Sequence, residues 1–242
     1  MAELNKRDMN LDEKLVKSFL SLTFNNIVFE PDGNIPPDFL VEDSIAVEVR
    51  RLNQNHTSVH GVTKGLEEDS IPLWQKVEKL LLDFGAPINN KSWFIGIHFQ
   101  RPIESWAKLA PKIKKTLEVI KKQEPVNLSR FPVSENFELD VIPSSKIHKV
   151  MFFMAASSDG NSGGFVLSEL EKNLKFIIAE KSKKIEKYKS KYKEWWLVLP
   201  DHIAYSLDNL DRAQFREYIK IEHSWDKIIL INPLNVDSSF EI

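Results

Sequence analysis

Asp38 and Glu48 flank two short apolar stretches, Phe39-Leu40-Val41 and Ile45-Ala46-Val47-Glu48-Val49, separated by Glu42, Asp43 and Ser44. Their β-branched and aromatic residues favour strands, and three residues is a favoured length for a hairpin loop. Antiparallel pairing across that loop sets Val41 against Ile45, Leu40 against Ala46, Phe39 against Val47, and therefore Asp38 against Glu48. Directly opposed residues hold their β-carbons about 5 Å apart on one face of a sheet. Alternation puts Arg50 on the face of Glu48 and sends Ile45, Val47 and Val49 the other way, into a core. Two carboxylates and a cation then converge. Such a set suits Mg²⁺ or Mn²⁺, which bind one or two carboxylates and complete their shell with water and phosphate oxygens. The matching reaction is phosphodiester hydrolysis, with metal-bound water as nucleophile and a protein cation offsetting charge on the phosphate.

The elements around this hairpin can be read from periodicity. Leu11, Leu15, Phe19 and Leu22 recur at helical spacing, and Asn10 with Glu13 has the form of a capping box, predicting a helix over about 11 to 22. A strand at 27 to 30 precedes the hairpin, and Pro31-Asp32-Gly33 and Pro36-Pro37 break the chain between them. A polar stretch from Asn53 to Asp69 leads to a helix over about 71 to 84, a strand at 93 to 99 and a helix from 106 to 122. The segment 123 to 138, with Pro125 and Pro132, reads as a connection, and 149 to 156 as a buried strand. A long helix over about 167 to 193 runs into a strand at 195 to 199, and a last strand spans 228 to 231, ended by Asn232-Pro233.

The order of helix, strand, strand opening on Pro37-Asp38, and strand carrying Glu48-Val49-Arg50 resembles the PD-(D/E)xK nuclease superfamily, which includes restriction endonucleases. The likeness covers about residues 11 to 51 and, more loosely, 167 to 199. It implies an α/β fold with a mixed central sheet flanked by helices, a restriction endonuclease-like core. By resemblance Asp38 and Glu48 bind the divalent metal, and Arg50 stands where the superfamily carries lysine. Arginine stays protonated, so it can hold a phosphate or stabilise charge but cannot accept a proton. The expected function is a Mg- or Mn-dependent nuclease cutting DNA; the alternative is an inactive module of the same fold that binds nucleic acid or a protein. The expected organisation is a single domain, its core over about 11 to 52 and 167 to 232 with an elaboration over about 53 to 166. The segment 71 to 99 is the other way to complete the core sheet.

Remaining features have plainer readings. Glu13 could add a helix-borne metal ligand, but the capping box accounts for it, and Glu30 reads as a solvated strand end. His56 and His60 stand four apart, yet Gly61 and polar neighbours suggest a loop with no third ligand. The stretch 157 to 164 has glycines but lacks the Gly-Lys-Ser/Thr ending of a phosphate loop. The long helix is rich in lysine, and Lys183, Lys184, Lys187 and Lys191 are the candidate contacts to a nucleic-acid backbone, with Tyr188 and Tyr192 as stacking surfaces. One of the adjacent Trp195 and Trp196 is expected in the core and the other on the opposite face.

The 242 residues carry a formal charge of -2, so net charge names no partner, and an apolar share of 42% describes an ordinary globular chain. With no cysteine, thiolate metal sites and disulfides are excluded, and ligands must be oxygen or imidazole. No apolar run has the length of a signal peptide or membrane span, so the expectation is a cytoplasmic protein. DNA is the expected partner and no membrane is; a homodimer is left open.

Overall fold

The computed structural model describes residues 7–58 and 61–242. In chain order the elements are α1 (Leu11–Leu20), β1 (Ile27–Phe29), β2 (Phe39–Val41), β3 (Ile45–Val49), β4 (Asn55–Thr57), β5 (Thr63–Gly65), α2 (Glu67–Leu82), β6 (Trp93–Phe99), α3 (Trp106–Gln123), β7 (Ser129–Ser134), β8 (Phe137–Pro143), β9 (Phe152–Asp159), α4 (Val166–Ile185), β10 (Glu194–Pro200), α5 (Asn209–Tyr218), β11 (Lys227–Asn232) and β12 (Asn235–Glu241). The class is mixed α/β. Where sequence anticipates one domain elaborated over about 53 to 166, the chain divides into two compact units: 1–54 with 163–242, and 55–162.

The first unit is built on a six-stranded sheet in the order β1-β2-β3-β10-β11-β12. Strands β3, β10 and β11 run parallel and the outer strands antiparallel. Parallel strands require crossovers, and α4 provides the one preceding β10 while α5 links β10 to β11. Both faces are covered. Val16 and Leu20 of α1 pack with Phe39, Val41, Val47, Val49 and Trp196 on one side. On the other, Leu174 and Ile177 of α4 and Phe215 of α5 pack with Ala46, Trp195, Leu197 and Ile228. Adjacent positions on β10 point to opposite faces, and both are roofed by helices, so both tryptophans are buried rather than one.

Helix α1 starts where its cap predicts. The Asn10 side chain accepts from the Glu13 backbone N–H at 3.0 Å, and Glu13 Oε2 accepts from the Asn10 N–H at 2.8 Å. Its buried positions are Glu13, Val16 and Leu20, while Leu11 and Leu22 are exposed, so the inward stripe is rotated from the one the leucines suggest. The long helix also differs from expectation. Alpha-helical geometry ends at Ile185, and Glu186–Lys191 is a tighter 3₁₀ segment that leads into β10. The Trp195 indole N–H donates to the Lys189 carbonyl at 3.0 Å, satisfying a group that the continued helix would otherwise have used.

The second unit holds a four-stranded sheet, β7-β8-β6-β9, and a small β4–β5 hairpin. Leu73, Val77 and Leu81 of α2 and Leu109, Ile113 and Leu117 of α3 share one core with Ile95 and Ile97 of β6 and Leu139 and Val141 of β8. Strands β7 and β8 form where the prolines suggest only a connection. Pro132 is tolerated because β7 is an edge strand and the register shifts between Pro132 and Ser134. Helix α5 and strand β12 also escape the sequence reading, both being short and polar on their outer sides.

Candidate active site at the ends of strands β2 and β3

The hairpin register is the one expected: Phe39 pairs with Val47, Leu40 with Ala46 and Val41 with Ile45. Glu42 and Asp43 adopt left-handed backbone angles in the turn. Glu42 is held there by its carboxylate, which accepts from the N–H groups of Asn25 and Asn26, each at 3.1 Å. Asp38 and Glu48 therefore lie across from one another just beyond the paired residues. The row extends to Glu30, whose N–H donates to the Asp38 carbonyl at 2.8 Å.

Glu48 is wholly buried. Its face of β3 is the one α4 covers, and the cation it meets comes from that helix. Lys181 Nζ donates to Glu48 Oε2 at 2.8 Å and stands 4.0 Å from Asp38 Oδ2, and Lys184 Nζ donates to the same Glu48 oxygen at 3.1 Å. Lys181 is itself buried, whereas Lys184 is about half exposed. Glu48 Oε1 is shielded from solvent and has no hydrogen-bond partner. Asp38 Oδ2 accepts from the Val49 N–H at 2.7 Å, which ties its side chain to the strand carrying Glu48.

Electrostatics follow from burial. Desolvation, then the neighbouring Glu48 charge, pushes the Asp38 carboxyl above its ordinary pKa, against the pull of Lys181 and the Val49 N–H. Desolvation works against the charge on Lys184, but Glu48 and Asp38 outweigh it and hold this ammonium above the usual lysine value. Glu13 and Glu30, both buried, are bound by Arg7. Its guanidinium reaches Glu13 Oε2 at 2.9 Å through one terminal nitrogen and Glu30 Oε1 at 2.6 Å through Nε. Burial alone would raise the Glu13 carboxyl, yet Arg7 and the Asn10 N–H bring it below its ordinary value. Glu30 is thus a buried, paired acid rather than a solvated strand end.

Arg50 lies on the α4 side of the sheet, the face that alternation gives it, but its side chain runs to Glu180 rather than to the acidic pair. Its Nε lies 3.9 Å from Glu180 Oε2 on α4, and the side chain is about one-third exposed. Arg51 turns the other way, to α1, where Nε donates to Asp12 Oδ2 at 2.9 Å. The cation at the acidic pair is Lys181. It went unnoticed because lysines on a long helix read as its wet side. One signal was present: Leu170, Leu174, Ile177, Ile178 and Ile185 mark the buried stripe of α4, and Lys181 falls on that stripe at helical spacing. A lysine there must meet a buried acid or lose its charge.

Of the other lysines, Lys183 is exposed near the end of α4, and Lys187 and Lys191 lie in the 3₁₀ segment. Lys191 pairs with Asp32, which also accepts from the Tyr192 hydroxyl at 2.8 Å. Lys184 faces Glu48 instead of continuing an outer basic track. His56 lies on β4, and His60 is outside the described residues. Among the described residues no group of three or more His, Cys, Asp or Glu side chains gathers as a metal cage, and no helix is long and apolar enough to cross a membrane. No protein-family model, curated protein or solved structure matches the chain.

Proposed function

We propose that the chain is a divalent-metal-dependent nuclease that hydrolyses phosphodiester bonds in DNA, with Asp38 and Glu48 as metal ligands and Lys181, rather than Arg50, as the working cation. The observation that carries this reading is the buried lysine 2.8 Å from Glu48 and 4.0 Å from Asp38. A fully buried carboxylate with two ammonium partners and one unbonded oxygen is costly to maintain for stability alone, because an apolar trio of the same volume would pack there at lower desolvation cost.

The residues fit Mg²⁺ or Mn²⁺. Glu48 Oε1 is a buried acceptor without a donor, and Asp38 is a carboxylate whose ionisation is resisted by burial and by Glu48, both of which a hard cation would relieve. When bound, such an ion supplies an activated water and offsets phosphate charge. Lys181, held by Glu48 on a core helix, would be pre-set to hold a phosphoryl oxygen or orient the attacking water. Asp38 would be held in place by the Val49 N–H, its Oδ2 4.0 Å from Lys181. Arg50, beside Glu180 and partly exposed, would contact the nucleic-acid backbone outside the reacting centre.

A second reading has its own support. Asp38 and Glu48 carry the charges that Lys181 and Lys184 cancel, so the cluster is neutral without any added ion. A chain in which the lysines have permanently replaced the metal would bind DNA or a protein without cutting. Incubation of the purified chain with plasmid, linear duplex and single-stranded DNA in Mg²⁺ and in Mn²⁺ separates the two. Cleavage that Asp38→Ala and Glu48→Gln each abolish and Lys181→Met strongly reduces supports the enzyme; no cleavage of any DNA with either ion rejects it.

A further inference from the structure

One cavity belongs wholly to the second unit and is used by nothing above. It encloses about 700 Å³ between β4, α2, the 101–104 loop and the start of α3, within the usual size range for small-molecule sites. Its walls combine an apolar floor with polar groups. Trp106, partly buried against the α2–α3 core, presents ring surface, and Pro72, Leu73 and Leu109 continue the apolar side.

The polar side is fixed before any ligand arrives. The Arg101 side chain is only 4% exposed. Its guanidinium is spent on the protein: NH1 donates to Asp159 Oδ1 and Oδ2 at 2.8 and 2.7 Å, NH2 to the Leu66 carbonyl at 2.8 Å and Nε to Asp69 Oδ2 at 3.2 Å. Arg101 therefore stiffens the wall and offers little to an anion. Lys76 also lines the cavity from its exposed rim, and the side-chain atom left without a partner is an acceptor. Glu104 gives one oxygen to Lys112 at 2.7 Å, and its Oε2 is shielded from solvent with no partner. An acceptor in that state costs free energy until a donor reaches it. Glu68 and Asp69 add carboxylates to the same lining, each with one oxygen already engaged, by the Gly65 N–H at 3.0 Å and by Arg101 at 3.2 Å.

We propose that this cavity binds a single nucleobase carrying an exocyclic amino group, cytosine or adenine, its ring against Trp106 and its amino N–H on Glu104. The choice of a base as the planar ligand rests on the nuclease reading above; the demand for a donor edge rests on the cavity alone. Carboxylates select amino groups over carbonyls, since a carbonyl presented to Glu104 would set two acceptors against each other. Bases removed from their stack are held in this manner, between apolar or aromatic walls with hydrogen bonds to the pairing edge.

The test uses the full chain without metal and free 2′-deoxycytidine, 2′-deoxyadenosine, 2′-deoxyuridine and 2′-deoxyinosine, followed by saturation-transfer NMR and calorimetry up to millimolar nucleoside. The amino nucleosides should bind about tenfold tighter than their carbonyl counterparts. Glu104→Gln, which replaces one carboxylate oxygen with an N–H donor, should erase or invert that preference, and Trp106→Ala should weaken all four. Equal binding of the carbonyl nucleosides, no saturable binding of any, or an unchanged preference in Glu104→Gln overturns the proposal. So does binding of agmatine with no discrimination among nucleosides, which would make the ligand a simple organic cation. Asp38→Asn should leave nucleoside binding intact, so loss of the cavity's role and loss of the nuclease reading register in separate measurements.

Discussion

The ammonium of Lys181 lies 2.8 Å from the Glu48 carboxylate, joining residues 133 positions apart in sequence. It arrives because β10 inserts beside β3 and α4, the crossover into β10, lies over the face on which Glu48 projects. Lys181→Met should therefore reduce DNA cleavage by about 10²- to 10³-fold, the usual effect of losing one preorganised charge-stabilising group. Arg50→Ala should cost less than about tenfold and weaken DNA binding instead, since its partner Glu180 is exposed and such pairs contribute about 0–1 kcal/mol. Initial rates of plasmid nicking under saturating Mg²⁺, with circular dichroism to verify folding, compare them. A Lys181→Met variant that cuts at the wild-type rate would return the cation's role to Arg50.

Asp38→Asn should inactivate the chain and stabilise its fold. Burial and Glu48 raise the Asp38 carboxyl in the folded state above its unfolded value of 3.8. The folded protein then holds that proton to higher pH than the unfolded chain, so ionised Asp38 removes stability progressively as pH rises through the window between the two values. Asparagine cannot ionise and can still accept from the Val49 N–H. The gain is expected at neutral pH and should vanish below the unfolded value of 3.8, where both states hold the proton. Melting curves of both proteins across that range would reveal a constant offset if the effect were not ionisation.

The hairpin was legible because each determinant is local: loop length sets the pairing and alternation sets the face. Asp38 against Glu48 follows from the one continuous segment that runs between them. What surrounds them was not legible, because it comes from elsewhere in the chain. Arg50 looked like the partner cation, being two positions from Glu48, yet alternation fixes only a face and not where a long flexible side chain ends. Arg7 was likewise invisible, since nothing local ties an arginine ahead of the capping box to a strand end at Glu30. Strand β7 was hidden by Pro132, which argues against a central strand but not against an edge.

Arg7→Ala should expose how much the acidic row depends on its counter-charge. Glu13 and Glu30 are each about 5% exposed, and removing the guanidinium takes two donors from Glu13 and the ion-pair partner from Glu30. A loss of about 2–3 kcal/mol is expected for such uncompensated burial. The pH dependence has a definite sign. Arg7 and Asn10 lower the folded Glu13 pKa below 4.5, so this group adds stability above that value and loses it as pH falls through the folded pKa. Acid titration of stability should be flatter between about pH 5 and pH 3 in the variant; an unchanged profile would place the acid sensitivity elsewhere.

The lysines near the end of α4 can be divided by what salt does to binding. Lys183 and Lys187 are exposed, Lys191 is matched by Asp32, and Lys184 is committed to Glu48. A lysine that neutralises a phosphate releases a counterion, so removing it lowers the slope of log affinity against log salt by about 0.9. Lys183→Ala and Lys187→Ala should each show that change with cleavage at saturating DNA preserved. Lys191→Ala should show less, because its charge is already shared with Asp32. Lys184→Ala should leave the slope intact but impair cleavage, since Glu48 would keep only Lys181 and the acidic pair would gain negative charge. Filter-binding or anisotropy titrations of one duplex over about 50 to 200 mM salt provide the slopes. A slope identical in all four variants and the parent would remove this face from the DNA path, whatever becomes of the acidic pair.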